Sequence, residues 1–204
     1  MNWNQIVEEL RPALDGMHAA REAALTHSRK LIQTSSKCIR HVHRKQFSEA
    51  TELLSQARGL ATEARRQAAD YPEILYAGYI QDAEKEMVEA AAVLAVAQGQ
   101  PIPSPSSLGV QAASYLNGMG EAASELRRFL LDELRAGRFD EAGRILAEME
   151  AIYDDLITFD YPDGLTNGLR RTCDALRAVI ERTRSDLTMT TVQGELLREL
   201  RNRN

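Results

Sequence analysis

The chain has 204 residues, 44% apolar and 27% charged, with a formal net charge of -5. That composition describes a globular chain able to bury a substantial core, and it excludes disorder and recognition of nucleic acid by overall positive charge. Cys38 and Cys173 are the only cysteines and lie in no metal-ligand spacing, so they read as reduced thiols. The N-terminus carries acids where a signal peptide has its apolar run, and no stretch reaches the length of a membrane span. A soluble, cytoplasmic protein is expected.

In chain order the elements read as helices, because alanine, leucine, glutamate and arginine dominate and β-branched runs are scarce. Pro12 and Gly16 punctuate a short first segment, and a long helix is predicted from His18 to Lys45. "RKQFSEATELLSQARGLATEARRQAA" predicts a second helix with Ser48 as its cap. Pro72 marks a turn, and a third helix runs to about Ala97. "QGQPIPSPSSLG" reads as a loop, and a fourth helix spans about Val110 to Ala136. "AGRFDEAGRI" opens a fifth, "TFDYPDGLTNG" breaks it, and a last helix starts at Leu165. No short internal repeat is evident, so no solenoid is expected. The predicted fold is all-α, one domain over residues 1–204, an antiparallel bundle of about six or seven helices.

Two faces carry chemistry. From His27 to Lys45 there are six Lys or Arg and three His and no acid. On a helical wheel Leu31, Cys38, Ile39 and Val42 share one side, while Arg29, Lys30, Gln33, Lys37, Arg40, His41 and Arg44 share the other. Such a stripe suits a phosphate backbone, since each cation replaces a condensed counterion; a solvated face is the competing reading. His41 and His43 point different ways, which argues against a shared metal, and His43 reads as an ordinary polar residue.

In "QDAEKEMVEAAAVLA" Asp82, Glu86 and Glu89 stack on one face beside the apolar Ile80, Ala83, Met87, Ala90, Ala91 and Leu94. Glu84 and Lys85 read as surface residues. In "SYLNGMGEAASELRRFLLDEL" Glu121 and Glu125 lie four apart, beside Tyr115, Met119, Ala122, Leu126 and Leu130. Gly118 and Gly120 leave that helix bare for a ligand or another backbone. Stacked like charges are mildly unfavourable unless a cation compensates, and oxygen-only ligands suit Mg2+ or Mn2+. Acidic helix faces are also commonly just solvated. No His has a Glu three residues before it, so the helical di-iron pattern is absent, as are a Walker loop and zinc spacing.

"HSRKLIQTSSKCIRHVHR", "KEMVEA", "YLNGMGEAASELRR" and "LRRTCDALRAVIERTRSDL", in that order, resemble the translin family and more closely its Trax branch. The resemblance implies an all-helical protein that assembles into a closed shell, typically an octamer, with single-stranded RNA or DNA as ligand. It implies a Mg2+-dependent endoribonuclease, with Mn2+ able to substitute, in which Glu86, Glu89, Glu121 and Glu125 hold the metal. Trax proteins usually carry Asp where this chain has Glu121, one methylene longer, and Asp82 has no family counterpart. Arg29, Lys30, Lys37, Arg40, His41 and Arg44 would guide RNA inside a homo-oligomeric shell of this one chain, with a translin-type subunit as an alternative further partner. A non-catalytic nucleic-acid-binding shell and a plain helical scaffold remain open. For self-assembly the sequence offers the stripe Leu169, Cys173, Leu176, Ile180 and Leu187, which a monomer would bury in its own bundle.

Overall fold

A computed structural model describes residues 2–202. Among the described residues there is no strand, and nine helices follow one another: α1 Trp3–His43, α2 Phe47–Ala68, α3 Pro72–Leu75, α4 Tyr79–Ala97, α5 Pro105–Leu108, α6 Ala112–Arg135, α7 Phe139–Leu156, α8 Asp163–Thr166 and α9 Leu169–Asn202. Six are long and three are single turns, so the all-α expectation holds. None of them is long and apolar enough to cross a membrane.

Several boundaries differ from the sequence reading, each for a local reason. α1 runs unbroken through Pro12 and Gly16 from a capping box at Asn2, whose side chain accepts from the Gln5 amide while Gln5 accepts in return. Pro12 removes one backbone bond, but on a solvent-exposed stretch where the freed carbonyl is open to water. Gly16 leaves room for the Tyr71 hydroxyl, which a Cβ there would displace. Ser48 does not cap α2, which starts at Phe47 after a tight turn with Lys45 in the left-handed region (φ 59). The predicted 98–109 loop contains α5, capped by the Ser104 side chain. α9 starts at Leu169 and not at Leu165, because α8 ends in left-handed Asn167 (φ 51) and Gly168 (φ 82).

The six long helices form two halves with one plan, α1–α2–α3–α4 and α6–α7–α8–α9. Lys45 (φ 59) and Gly137 (φ 73) make matching left-handed turns. The following residues, Gln46 (φ -90, ψ 70) and Arg138 (φ -94, ψ 71), match in turn, and then come "FSEA" and "FDEA". "DYP" recurs at 70–72 and 160–162, ahead of α3 and α8, and Gly78 (φ 97) and Gly168 (φ 82) precede α4 and α9. This is a long repeat, invisible to a search for short periods.

Within each half, successive long helices are antiparallel, as expected. Cys38 of α1 donates to the Ala50 carbonyl of α2, and Arg65 of α2 pairs with Glu84 of α4. Between halves the direction is shared. His43 and Lys45 reach Glu125 and Glu133 of α6 in the same chain order, so the 98–111 connection carries the chain back to start the second half alongside the first. One core spans both halves, with Leu31, Met87, Leu126, Ile145, Met149 and Leu176 fully buried in it.

Both cysteines are free and buried, and burial pushes the Cys38 thiol up to about 12. The α9 stripe of Leu169, Cys173, Leu176 and Ile180 is part of this core, and Leu187 packs against it. The exposed apolar residues of α9 lie further on: Met189, Val192, Leu196, Leu197 and Leu200.

Candidate metal centre at the seam between the halves

The seam is where α4 meets α6, and Gly118 decides how closely. A Cβ on Gly118 would stand 2.7 Å from the Lys85 carbonyl oxygen and 2.7 Å from Val88 Cβ. The bare stretch therefore admits the α4 backbone. Gly120 leaves room for the Thr172 side chain of α9, whose Cγ2 would lie 2.5 Å from such a Cβ. One turn past Gly118, Glu121 projects onto the α4 face that carries Glu86 and Glu89.

Glu86, Glu89 and Glu121 each offer a carboxylate oxygen, and the three oxygens lie within 4.8 Å of one another. All three residues are half-buried. Burial pushes the Glu89 carboxyl up to about 8, and the charges of Glu86, Glu121 and Glu125 add to it, against Lys85. Burial also raises Glu86, with Glu121 next and Asp82 contributing, again opposed by Lys85. The carboxylates of the group thus outnumber the one cation, Lys85, set against them. An octahedral Mg2+ holds its oxygens at about 2.0–2.1 Å, so the three carboxylates close further round an ion on binding it. An all-carboxylate donor set gathered this closely suits a hard divalent cation.

Glu125 stands apart from the three. Its Oε1 is 2.5 Å from His43 Nε2, at the end of α1. Asp82 is exposed beside the cluster, close enough to act on Glu86 and Lys85.

Two sequence assignments need correction. Lys85 is no surface bystander: its ammonium donates to Glu121 Oε1 at 2.6 Å. Burial alone would lower the Lys85 pKa, but the bond to Glu121 and the surrounding acids raise it. Glu84 is fully buried and held by both nitrogens of an Arg65 fork, with burial still pushing its carboxyl up. Helical spacing puts Glu84 on the core side of α4, next to Met87 and Ala91; only its charge suggested solvent. His43 was missed because it sits at the edge of the basic stripe, and nothing in the sequence links it to an acid 82 residues on.

The basic stripe is laid out as the wheel predicts. Arg29, Lys30, Lys37, Arg40 and Arg44 are exposed and His41 is half-buried, while Leu31, Cys38, Ile39 and Val42 are buried. Among the described residues none of the five cations forms an ion pair. Arg40 is one turn from His43, so the stripe runs up to the acidic site. Arg128, exposed one turn beyond Glu125 on α6, extends positive charge past it.

No protein-family model matches the chain. Its fold does have solved counterparts. The AfC3PO crystal structure superposes with a TM-score of 0.84 at 38% identity, covering 92% of this chain and 97% of that one. The chain belongs to the translin family. Within it the chain is Trax-like. A second AfC3PO structure, a complex with duplex RNA, gives a TM-score of 0.83 at 37% identity over the same shares. The apo-NeC3PO structure shares the fold at 23% identity, with a TM-score of 0.82 over 93% of this chain and 98% of that one. In sequence, an uncharacterized protein of Methanocaldococcus jannaschii is 29% identical over 190 residues, 89% of this chain and 80% of its own length.

Proposed function

We propose that this Trax-like chain is a divalent-metal-dependent endoribonuclease acting on single-stranded RNA. The observation that carries the proposal is the meeting of Glu86, Glu89 and Glu121 at the seam, three carboxylates with their oxygens within 4.8 Å and too little positive charge among them. A bound Mg2+ or Mn2+ would lower the pKa of water and offer a positive centre to phosphodiester oxygens. The chain's own residues do the rest. Glu86, Glu89 and Glu121 hold the ion, with Glu125 alongside. Arg40, Arg44, Lys37, Lys30, Arg29 and His41 position the RNA backbone along α1 beside the site. That AfC3PO has been solved with duplex RNA supports RNA as the ligand class.

The working form is proposed to be a homo-oligomeric shell, octameric, with a translin-type subunit as a further partner. The exposed Met189, Val192, Leu196, Leu197 and Leu200 on α9 and Trp3, Leu10 and Leu14 on α1 supply apolar surface for it. Light scattering should give a mass near eight chains, and a monomer would remove the shell from the proposal.

A second reading, a translin-like binder without catalysis, is favoured by the bonds of Lys85 and His43, which compensate two carboxylates without any ion. A cleavage assay separates the two. With Mg2+ the wild type should cut single-stranded RNA, and Glu86→Ala and Glu89→Ala should abolish cutting while oligomer size and RNA affinity persist. Cleavage surviving in both variants would remove Glu86 and Glu89 from catalysis, and cleavage absent from the wild type on single-stranded and duplex RNA alike would leave the binder.

A further inference from the structure

We propose that His43 is the positioning residue of the metal site: it fixes the Glu125 carboxylate by one oxygen so that the other is presented to the ion held by Glu86, Glu89 and Glu121. The proposal rests on the metal-site reading above and deepens it. Four observations meet at this point. The His43 side chain is 4% exposed, too buried to touch RNA, so it acts through another group. Its Nε2 lies 2.5 Å from Glu125 Oε1, a short contact between the first half and the second. Its Nδ1 is buried without a partner, a state that costs stability and that core packing alone does not explain. Finally, Glu125 lies one turn along α6 from Glu121, outside the three oxygens that meet but near enough for its charge to act on Glu89.

With Nε2–H donating to Oε1, the carboxylate plane of Glu125 is locked, and its Oε2 lone pairs remain for a cation. A carboxylate ligand oriented in this way loses affinity when its orienting partner is removed, typically by about 10–100-fold. Lys85 holds Glu121 in a different manner, through a partly exposed ammonium on a four-carbon stem that an arriving cation can displace. The buried imidazole has no such freedom. It is the fixed element of the site.

The test is Mn2+ binding to the full-length protein, followed by calorimetry and by the electron paramagnetic resonance spectrum of bound Mn2+. His43→Leu fills the same space without a donor, and His43→Gln places an amide N–H near the Nε2 position. Expected are a roughly 10-fold or greater loss of affinity in His43→Leu, near wild-type affinity in His43→Gln, and little further loss when His43→Leu is added to Glu125→Gln. Affinity in His43→Leu equal to wild type overturns the proposal and leaves the metal site standing. So does an undiminished loss in the Glu125→Gln background. A His43→Gln protein that folds yet binds as weakly as His43→Leu overturns it too, and this arm decides the matter if His43→Leu does not fold. Absence of Mn2+ binding by the wild type overturns both this proposal and the reading it rests on.

Discussion

The first half of the chain turns its leading helix outward as a row of cations; the second half turns the equivalent helix inward as a pair of acids. Matching Lys45 to Gly137 sets Arg29 and Gln33 of α1 against Glu121 and Glu125 of α6, and exposed Lys37 against buried Phe129. The backbone plan is shared, but the surroundings are not. α1 packs on α2 and α4 and leaves one side to water, whereas α6 is enclosed by α4, α7 and α9. A position that is solvent on the outer helix becomes seam on the inner one. The chemistry follows from that difference: Glu86 and Glu89 come from one half and Glu121 from the other, so neither half alone brings three carboxylates together.

The largest effect is expected at the seam acids. Converting Glu86 and Glu89 together to Gln should lower RNA cleavage by about 100-fold or more, as for loss of a principal charge-stabilising element. RNA affinity should hold or tighten, since two negative charges leave the site. Gel-based cleavage and fluorescence anisotropy on the same preparations check both.

The approach of the halves comes next. Gly118→Ala puts a Cβ against the Lys85 carbonyl and Val88, and should destabilise the fold by about 1–3 kcal/mol. It should also weaken Mn2+ binding, because Glu121 moves with α6. Gly59→Ala on α2, where a Cβ meets nothing within 4 Å, should instead be neutral or stabilising by up to about 1 kcal/mol. Denaturant melts of the two variants give the contrast.

The basic half is probed by salt. Lys37→Glu and Arg44→Glu should each weaken RNA binding and reduce the slope of log affinity against log salt by about 1. Charge reversal at Glu150, which is paired with Arg184 on the far hairpin, should leave the slope unchanged.

The smallest effect is in pH. Glu89 has its folded pKa raised from an ordinary 4.5 to about 8. Its protonated form therefore favours the fold, and the metal-free protein loses that contribution as pH rises from about 4.5 to about 8. A cation needs the ionised form, so Mn2+ affinity should rise over the same window, by up to about tenfold per pH unit for one proton released, and level off above about 8. Calorimetry in buffers of different ionisation enthalpy measures the proton count.

The helical fold was legible because its helix formers are uninterrupted and its breakers are few. Apolar faces such as Ile80, Ala83, Met87 and Leu94 were found on the correct side of α4 by spacing alone. Helix ends were less legible, since Pro12 and Gly16 answer to solvent exposure and to Tyr71, and neither can be seen in a linear pattern. At the site, the wheel grouped Glu86 with Glu89 and Glu121 with Glu125, but pairing across helices depends on the Gly118 contact. Lys85, Glu84 and His43 were misjudged for one reason. Each has a partner on another helix, Glu121, Arg65 and Glu125 respectively, and helical spacing is silent about partners.

Whether the seam holds a divalent cation can be read from anomalous diffraction by a crystal soaked in Mn2+. A peak is expected between Glu86, Glu89 and Glu121, within bonding distance of their oxygens, with the Lys85 ammonium withdrawn from Glu121. A crystal with no anomalous peak at the seam, and the Lys85–Glu121 bond intact, would contradict a metal site there.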